Sequence, residues 1–293
     1  QHDMFRPPTH HIVKGKVSET GRLQGFEHHF VSGDVANNSA LMPKVLPGIS
    51  GADIGAVRGG MIQYTEIPKY RVVYWHVDLR FAASGWRSLG LLANTFAIES
   101  TIDELALQAK RDVIEFRMEN LGEDPMSMRL KSVIKAVANK AGYTEEIKHG
   151  RAMGLAASID AGTPCAQVAE VSVEDGEIKV HKVTVAMDPG IAVNPDQVRA
   201  QCEGCVIMGM SASMFEEMKV VDGSLQPIIY GPYRMALMKH APKEIDVVLL
   251  QGIDKPGPVG EPPLGPIAAA IGNAVRRLTG KRLTRMPLNL SQA

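Results

Sequence analysis

The sequence predicts an α+β protein in which mixed sheets pack against helices. Residues 166–188 alternate apolar and polar side chains as strands do, whereas residues 267–278 place apolar side chains at helical spacing. Such segments do not alternate regularly along the chain, as the strands and helices of a doubly wound sheet would. The 293 residues are enough for one large domain or two ordinary ones.

The elements of the first half follow from local patterns. Residues 1–35 alternate around a turn at Gly21, which predicts a β-hairpin. Residues 36–70 are rich in glycine and lack periodicity, so we expect mostly loop. The segment from Tyr70 to Phe81 is β-branched and aromatic, which predicts a strand.

Helices are expected next. Asn94 is predicted to cap a helix that runs from Thr95 to about Lys110. Two shorter apolar patterns predict helices at Val113 to Leu121 and at Ser127 to Ala141.

The second half contains a hairpin, a helix and a strand. Alternation over residues 166–188 is interrupted by Asp175-Gly176, a dipeptide typical of a two-residue hairpin turn. A helix is predicted from about Asp196 to Phe215, and an apolar strand over residues 243–251.

Residues 257–266 are rich in glycine and proline and carry a single carboxylate, Glu261. Apolar residues at helical spacing from Ile267 to Leu278 predict a helix that stops at Gly280. We therefore expect Glu261 just ahead of a helix N-terminus, where the helix dipole favours the charged carboxylate. A fixed carboxylate of this kind suits a general base, and the same spacing also fits a surface capping glutamate.

Two further segments are candidate binding sites. The loop that holds Trp86 and Arg87 has glycine at both ends, which permits close approach of the backbone to a ligand, and it also fits a plain connection. Gln201 and Gly204 are expected in the first turns of a helix, where free N–H groups bind anions such as a pyrophosphate. Taken alone, Gln201 is more typical of a solvated helix residue.

Two patterns that suggest metal sites are weak. Cys202 and Cys205 have C-x-x-C spacing, but a structural zinc needs two more ligands and only Cys165 remains as a thiol, so small buried cysteines are favoured. Three cysteines are also too few for the four thiolates of an ordinary iron–sulfur cluster. Histidines 10–11 and 28–29 are adjacent pairs, and neighbouring side chains on a strand point to opposite faces.

Charge and hydropathy exclude other classes. Lysine plus arginine and aspartate plus glutamate both number 32, and no long basic run is present, so nucleic-acid binding is not expected. No apolar run approaches the roughly 18 residues of a membrane span.

Several of these segments together resemble one protein family. The matching runs are Gly260-Glu261-Pro262-Pro263, Gly265-Pro266-Ile267-Ala268-Ala269-Ala270-Ile271, Trp86-Arg87-Ser88-Leu89-Gly90 and Gln201-Cys202-Glu203-Gly204. They resemble the C-terminal part of the molybdenum-binding subunit of molybdenum hydroxylases, the xanthine and aldehyde oxidoreductase family. The branch that they resemble contains isoquinoline 1-oxidoreductase beta-type subunits and related bacterial aldehyde dehydrogenases.

The resemblance implies roles for individual residues. Trp86 and Arg87 would line the molybdenum pocket, and Gln201 would contact the molybdopterin. The same motifs assign Gly204 and Gly260 to cofactor binding, and they imply no protein side chain as a metal ligand.

The resemblance also implies the chemistry. The cofactor would be molybdenum with molybdopterin cytosine dinucleotide, and Glu261 would be the catalytic base beside the metal. The reaction would be the oxidation of an aldehyde or an N-heterocycle, a small-molecule substrate, with water as the oxygen source. A non-catalytic scaffold that binds the cofactor or other subunits is the alternative.

Partners are implied as well. Residues 1–85 would be the C-terminal piece of a first molybdopterin-binding domain and residues 86–293 a second such domain, so the N-terminal half of the molybdenum subunit would be a separate or processed polypeptide. 2Fe-2S clusters would lie on an iron–sulfur subunit, with a cytochrome or another electron acceptor beyond it. Some aldehyde-oxidising members are exported, so the bacterial periplasm is one expected compartment and the cytoplasm the alternative.

Overall fold

The computed structural model describes residues 5–37, 51–81, 83–227, 229 and 231–292. The strands in these ranges are β1 (Thr9–Val17), β2 (Leu23–Ser32), β3 (Lys69–His76), β4 (Arg151–Asp160), β5 (Thr163–Glu174), β6 (Glu177–Met187), β7 (Lys219–Val221), β8 (Ser224–Gln226) and β9 (Glu244–Leu249). The α-helices are α1 (Leu91–Gln108), α2 (Val113–Asn120), α3 (Pro125–Ala141), α4 (Pro195–Met214) and α5 (Ile267–Thr279). Mixed sheets packed against helices confirm the predicted α+β class.

The first sheet has the strand order β1-β2-β3. β1 and β2 pair antiparallel around Gly21, whose φ of +81° suits a turn, and this confirms the predicted hairpin. β3 pairs parallel with β2 and ends at His76, opposite Ser32, the last residue of β2. The strand is therefore shorter than the sequence predicts, because its partner ends there. Between β2 and β3, residues 51–68 form turns and loop as predicted, and residues 38–50 lie outside the described ranges.

The second sheet has the order β4-β5-β6-β9, with β9 parallel to β6 and the other pairs antiparallel. The β5–β6 turn has φ of +52° at Asp175 and +80° at Gly176, as a type I′ hairpin turn requires, so this prediction is confirmed. The sequence reading missed β4. Its residues are buried on both faces over much of the strand, and alternation is therefore lost.

The prediction that Asn94 caps a helix is wrong. α1 begins at Leu91 after Gly90, and Asn94 lies within its first turn. The buried Asn94 side chain instead donates two hydrogen bonds of 2.9 Å from Nδ2 to the carbonyl oxygens of Ala56 and Arg58. Asn94 therefore holds the loop that precedes β3, which a local capping pattern cannot reveal.

α5 packs directly on β4. A Cβ atom at Gly154 would lie 2.2 Å from the carbonyl oxygen of Ala270 and 2.3 Å from the nitrogen of Ala274. Only glycine permits this approach of strand and helix backbones. α5 ends at Gly280 with a left-handed φ of +71°, which confirms the predicted stop.

Buried side chains from both sides of the predicted domain boundary share one core. Leu23 and Phe26 of β2 pack in the same cluster as Ile102 and Leu105 of α1. The boundary between residues 85 and 86 stays a prediction. Among the helices described, none is long and apolar enough to cross a bilayer.

Candidate active site

Glu261 lies in the loop between β9 and α5. It precedes a short 3-10 turn, Pro262–Leu264, and α5 starts only at Ile267. Glu261 therefore lies ahead of α5 as expected, with the turn of prolines between them. Side chains and backbone of other elements hold the carboxylate.

Two residues fix the Glu261 carboxylate. Arg58 Nη1 lies 2.5 Å from Oε2, and the Ser88 backbone N–H donates to Oε1 at 3.0 Å. The Ser88 hydroxyl also donates to the Glu261 carbonyl oxygen at 2.8 Å. The Glu261 side chain remains 34% exposed, so the carboxylate can still be reached by a reacting molecule.

The loop that supplies Ser88 is strained. Ser88 and Leu89 adopt left-handed φ angles of +70° and +52°, which non-glycine residues rarely do. Each such residue costs on the order of 1–3 kcal/mol and persists only where surrounding contacts enforce it. Here the strain aims the Ser88 N–H at Glu261.

Arg58 bridges two carboxylates. Its Nε and Nη2 donate to the two oxygens of Asp160 at 2.5 and 2.6 Å, in addition to the contact with Glu261. The Asp160 side chain is fully buried, and burial raises its pKa above the ordinary value although the Arg58 hydrogen bonds oppose the shift. The sequence reading missed both residues. The one local feature that could have pointed to Arg58 is the glycine pair Gly59-Gly60 that follows it.

The residues predicted to bind a cofactor come together around Arg87. Arg87 Nε donates to the carbonyl oxygen of Gly260 at 2.7 Å, and Nη2 donates to Oε1 of Gln201 at 2.5 Å. A Cβ at Gly204 would lie 3.5 Å from Arg87 Nη1, so this glycine faces the guanidinium. Trp86 precedes Arg87 and packs at the edge of the core.

Gln201 and Gly204 do not lie in the first turn of a helix, where free N–H groups could bind an anion. α4 begins at Pro195, so Gln201 lies in its second turn and Gly204 in its third. Their backbone N–H groups belong to the helix and are not free to bind an anion. Gln201 reaches the site through its side chain, which accepts a hydrogen bond from Arg87.

The Glu261 loop is also held from the sheet. Gln167 of β5 is fully buried and donates from Nε2 to the carbonyl oxygen of Pro263. Cys205 of α4 donates from Sγ to the carbonyl oxygen of Gly260 at 3.3 Å. The carbonyl groups on either side of Glu261 are therefore anchored to different elements, and this fixes the loop.

The cysteines do not form a thiolate site. Cys165, Cys202 and Cys205 are all buried free thiols. Burial raises the pKa of Cys202 and of Cys205 to about 12, so both remain protonated at neutral pH. A thiolate is what binds a metal or attacks a disulfide, and these cysteines act as small core residues.

His11 and His28, which stack in the first sheet, are likewise neutral, because burial lowers the pKa of both. His11 Nδ1 and His28 Nε2 share a 3.0 Å hydrogen bond, and both rings stack with Phe30. Burial lowers the pKa of His11 to about 3. In the residues that the structure describes, no three His, Cys, Asp or Glu side chains come together as metal ligands.

A family profile described as "Molybdopterin cofactor-binding domain" matches residues 93–242. The chain is 30% identical to a membrane-bound aldehyde dehydrogenase (pyrroloquinoline-quinone) of Gluconacetobacter polyoxogenes, across 98% of this chain and 40% of that protein. It is also 30% identical to isoquinoline 1-oxidoreductase subunit beta of Brevundimonas diminuta, across 85% of this chain and 32% of that protein. The chain therefore spans less than half the length of these curated relatives.

Solved structures show the same fold. The aldehyde oxidoreductase of Desulfovibrio gigas matches with a TM-score of 0.75 over 96% of this chain and 48% of that one, at 15% identity. A quinoline 2-oxidoreductase of Pseudomonas putida matches with a TM-score of 0.74 over 93% of this chain and 59% of that one, at 12% identity. At these identities the likeness concerns the fold alone.

Proposed function

This chain belongs to the molybdenum hydroxylase family, and on that premise we propose that it is the catalytic, cofactor-binding part of a molybdenum-dependent hydroxylase or dehydrogenase. The substrate would be an aldehyde or an N-heterocycle, and water would supply the oxygen. The observation that carries the proposal is the partly exposed Glu261 carboxylate, held between Arg58 and the Ser88 N–H.

The residues at the site fit a cofactor that brings its own metal ligands. The described residues offer no set of three protein ligands, and a metal carried on a pterin needs none. Arg87 bonds the uncharged Gly260 carbonyl and Gln201 amide, so its positive charge is available to an anionic cofactor. Gln201 accepts from Arg87 through Oε1, so its amide N–H groups remain to donate to a ligand.

We assign the cofactor contacts to the residues around Arg87. Trp86, Arg87, Gln201, Gly204 and Gly260 would hold the cofactor, in the cytosine dinucleotide form of molybdopterin. Gly204 and Gly260 leave room that a side chain would fill, since a Cβ at Gly260 would meet nothing closer than Gln201 Oε1 at 3.9 Å.

When bound, the cofactor supplies oxygen derived from water and accepts two electrons from the substrate. Glu261 acts as the general base and takes up a proton on its carboxylate. Arg58 and the Ser88 N–H hold this carboxylate in one orientation, so little reorganisation is needed when the proton moves.

Electrons would leave through partner polypeptides. The cysteines of this chain are three protonated, buried thiols, whereas an ordinary iron–sulfur cluster uses four thiolates. We therefore propose an iron–sulfur subunit with 2Fe-2S clusters, the N-terminal half of the molybdenum subunit, and a cytochrome or another electron acceptor. Two relatives are themselves named as subunits, which supports partner polypeptides in general.

Substitution of Glu261 tests the proposal in the purified complex with its partner polypeptides. We expect Glu261→Gln to lower kcat by about 10²- to 10⁴-fold, the usual contribution of a general base. Molybdenum content, measured by mass spectrometry, and CMP released by acid hydrolysis should stay unchanged. Glu177→Gln, at the exposed β5–β6 turn, is the matched control and should leave kcat unchanged.

Three results would contradict the proposal in different ways. Unchanged kcat in Glu261→Gln would remove the base assignment. Detection of pyrroloquinoline quinone in the purified complex, without molybdenum or CMP, would favour pyrroloquinoline quinone as the cofactor, which is the one that the name of one relative contains. Near-stoichiometric molybdenum without turnover of any aldehyde or N-heterocycle would favour the scaffold.

A further inference from the structure

Arg6 lies beside the candidate site. Its guanidinium carbon is 5.1 Å from the centroid of the Trp86 ring. Its Nη2 donates to the carbonyl oxygen of Ala212 in α4 at 3.4 Å, which is long for such a bond. Arg6 thus lies between the loop that carries Arg87 and the helix that carries Gln201.

The Arg6 guanidinium is poorly satisfied. Its Nη1 is buried and has no hydrogen-bond partner in the described part of the chain. The nearby Glu216 carboxylate accepts a hydrogen bond from the Tyr233 hydroxyl at 2.9 Å, and its charge also acts on Arg6. Burial lowers the pKa of Arg6 below its ordinary value, although the charge of Glu216 opposes the shift.

A buried guanidinium N–H without a hydrogen-bond partner is costly, and this favours a bound anion at Arg6 in addition to the charge of the nearby Glu216. A planar guanidinium matches a carboxylate, to which it can donate two parallel hydrogen bonds. The Trp86 ring offers an aromatic face at the same place. A molecule with a flat apolar body and a carboxylate would therefore contact both residues.

The position is close to the proposed chemistry. Trp86 is the neighbour of Arg87, which bonds Gly260, and Gly260 precedes Glu261. The Arg6–Trp86 contact and the Arg87–Gly260 hydrogen bond therefore connect Arg6 to the loop that carries the proposed base. We propose that Arg6 binds a carboxylate group of the substrate, so that the preferred substrate is an aldehyde or N-heterocycle that is also a carboxylic acid. This proposal rests on the proposed function.

Two aldehydes that differ by one carboxylate test the proposal: benzaldehyde and 4-formylbenzoate, with the complete complex. Wild type should show the higher kcat/KM for 4-formylbenzoate. In Arg6→Gln this preference should fall by about 10- to 100-fold, mainly through KM, because a charge-assisted hydrogen bond is lost. Arg6→Lys should recover part of this preference, since lysine keeps the positive charge but lacks the planar guanidinium that donates two parallel hydrogen bonds. Arg71→Gln, with a side chain that is 70% exposed, is the matched control.

A binding measurement gives a readout that does not depend on turnover. Isothermal titration calorimetry of the complete complex measures ligand binding directly. Benzoate should bind saturably when Arg6 is present, and much more weakly in Arg6→Gln. Benzyl alcohol, which lacks the charge, should give no such difference between the two proteins.

The outcomes separate this proposal from the proposed function. If a molybdenum-loaded complex oxidises neither these aldehydes nor any N-heterocycle, the proposed function is in error, and the benzoate titration still decides the role of Arg6. If both aldehydes are oxidised with the same preference in wild type and Arg6→Gln, the carboxylate site is overturned. A loss of molybdenum and CMP in Arg6→Gln would also overturn it and assign Arg6 to a cofactor phosphate.

Discussion

Two arginine–carboxylate clusters contact the same strand, β4, and differ in their access to solvent. The open cluster joins Arg58 to Asp160 and to Glu261, which keeps 34% of its side chain exposed. The closed cluster joins Arg117 to Glu99 at 3.1 Å, with 0% and 1% of their side chains exposed.

In the closed cluster the charged atoms are fully engaged. Glu99 accepts from the Tyr64 hydroxyl at 2.6 Å, from Arg117 at 3.1 Å and from the Ala157 backbone N–H at 3.0 Å. Burial raises the pKa of Tyr64 well above its ordinary value, so the hydroxyl stays protonated. These hydrogen bonds hold α1 to β4. The Glu261 carboxylate, in contrast, is accessible to solvent. An arginine–carboxylate pair thus stabilises the fold where it is fully buried, and it is available for proton transfer where the carboxylate is exposed.

The largest effect on stability is expected from opening the closed cluster. Arg117→Met leaves Glu99 buried without its counter-charge, and breaking such a pair costs about 3–5 kcal/mol. Urea unfolding should show this loss, whereas Arg71→Met at an exposed position should change the free energy of unfolding very little. A loss below about 1 kcal/mol would mean that the two clusters are not energetically different.

The open cluster should affect activity more than stability. The double variant Arg58→Gln, Asp160→Asn removes both charges of the pair, so no buried charge is left without a partner. We expect kcat/KM to fall by about 10- to 100-fold, because Glu261 loses a charge-assisted hydrogen bond that orients it. Full activity in the double variant, with molybdenum content retained, would show that Arg58 does not orient the base.

The smallest effect is a pH dependence of stability that arises from Asp160 in the open cluster. Burial raises the folded-state pKa of Asp160 above its ordinary value of 3.8, so the folded protein holds this proton more tightly than the unfolded chain. The resulting stability is fully present below pH 3.8 and is lost as the pH rises through the folded-state pKa.

Wild type should therefore gain stability relative to Asp160→Asn as the pH falls from 7 towards 4, by at most about 1.4 kcal/mol per pH unit. Urea unfolding of both proteins across this range gives the difference directly. Parallel stability curves would mean that Asp160 does not titrate as its burial implies.

Local patterns predicted the parts of this fold that depend on local chemistry. The hairpin turn at Asp175-Gly176 and the end of α5 at Gly280 require left-handed backbone angles, and the sequence shows glycine at both places. Side chains that act at a distance were not predictable in this way. Arg58 and Asp160 are 102 residues apart, and Asn94 looked like a cap because its partners lie in another loop.

The sequence predicted residues that lie together in the structure, but not Arg58 and Asp160 beside them. The residues chosen for binding and catalysis do come together around Arg87 and Glu261, because their glycine-rich motifs mark where backbones approach closely. Both helices start where the sequence predicts, but a 3-10 turn separates Glu261 from α5, and Gln201 lies in the second turn of α4, beyond the free N–H groups of the helix start.

The contact of Gly154 with the backbone of α5 limits how this protein can diversify. Because strand and helix touch without intervening side chains, the end of the loop that carries Glu261 has little freedom to drift as sequences diverge. Changes of substrate preference are then expected from residues outside this contact, such as Arg6, which is proposed to bind the substrate. A laboratory library aimed at new substrates should therefore start from Arg6 and leave Gly154 and the residues of α5 that face it unchanged.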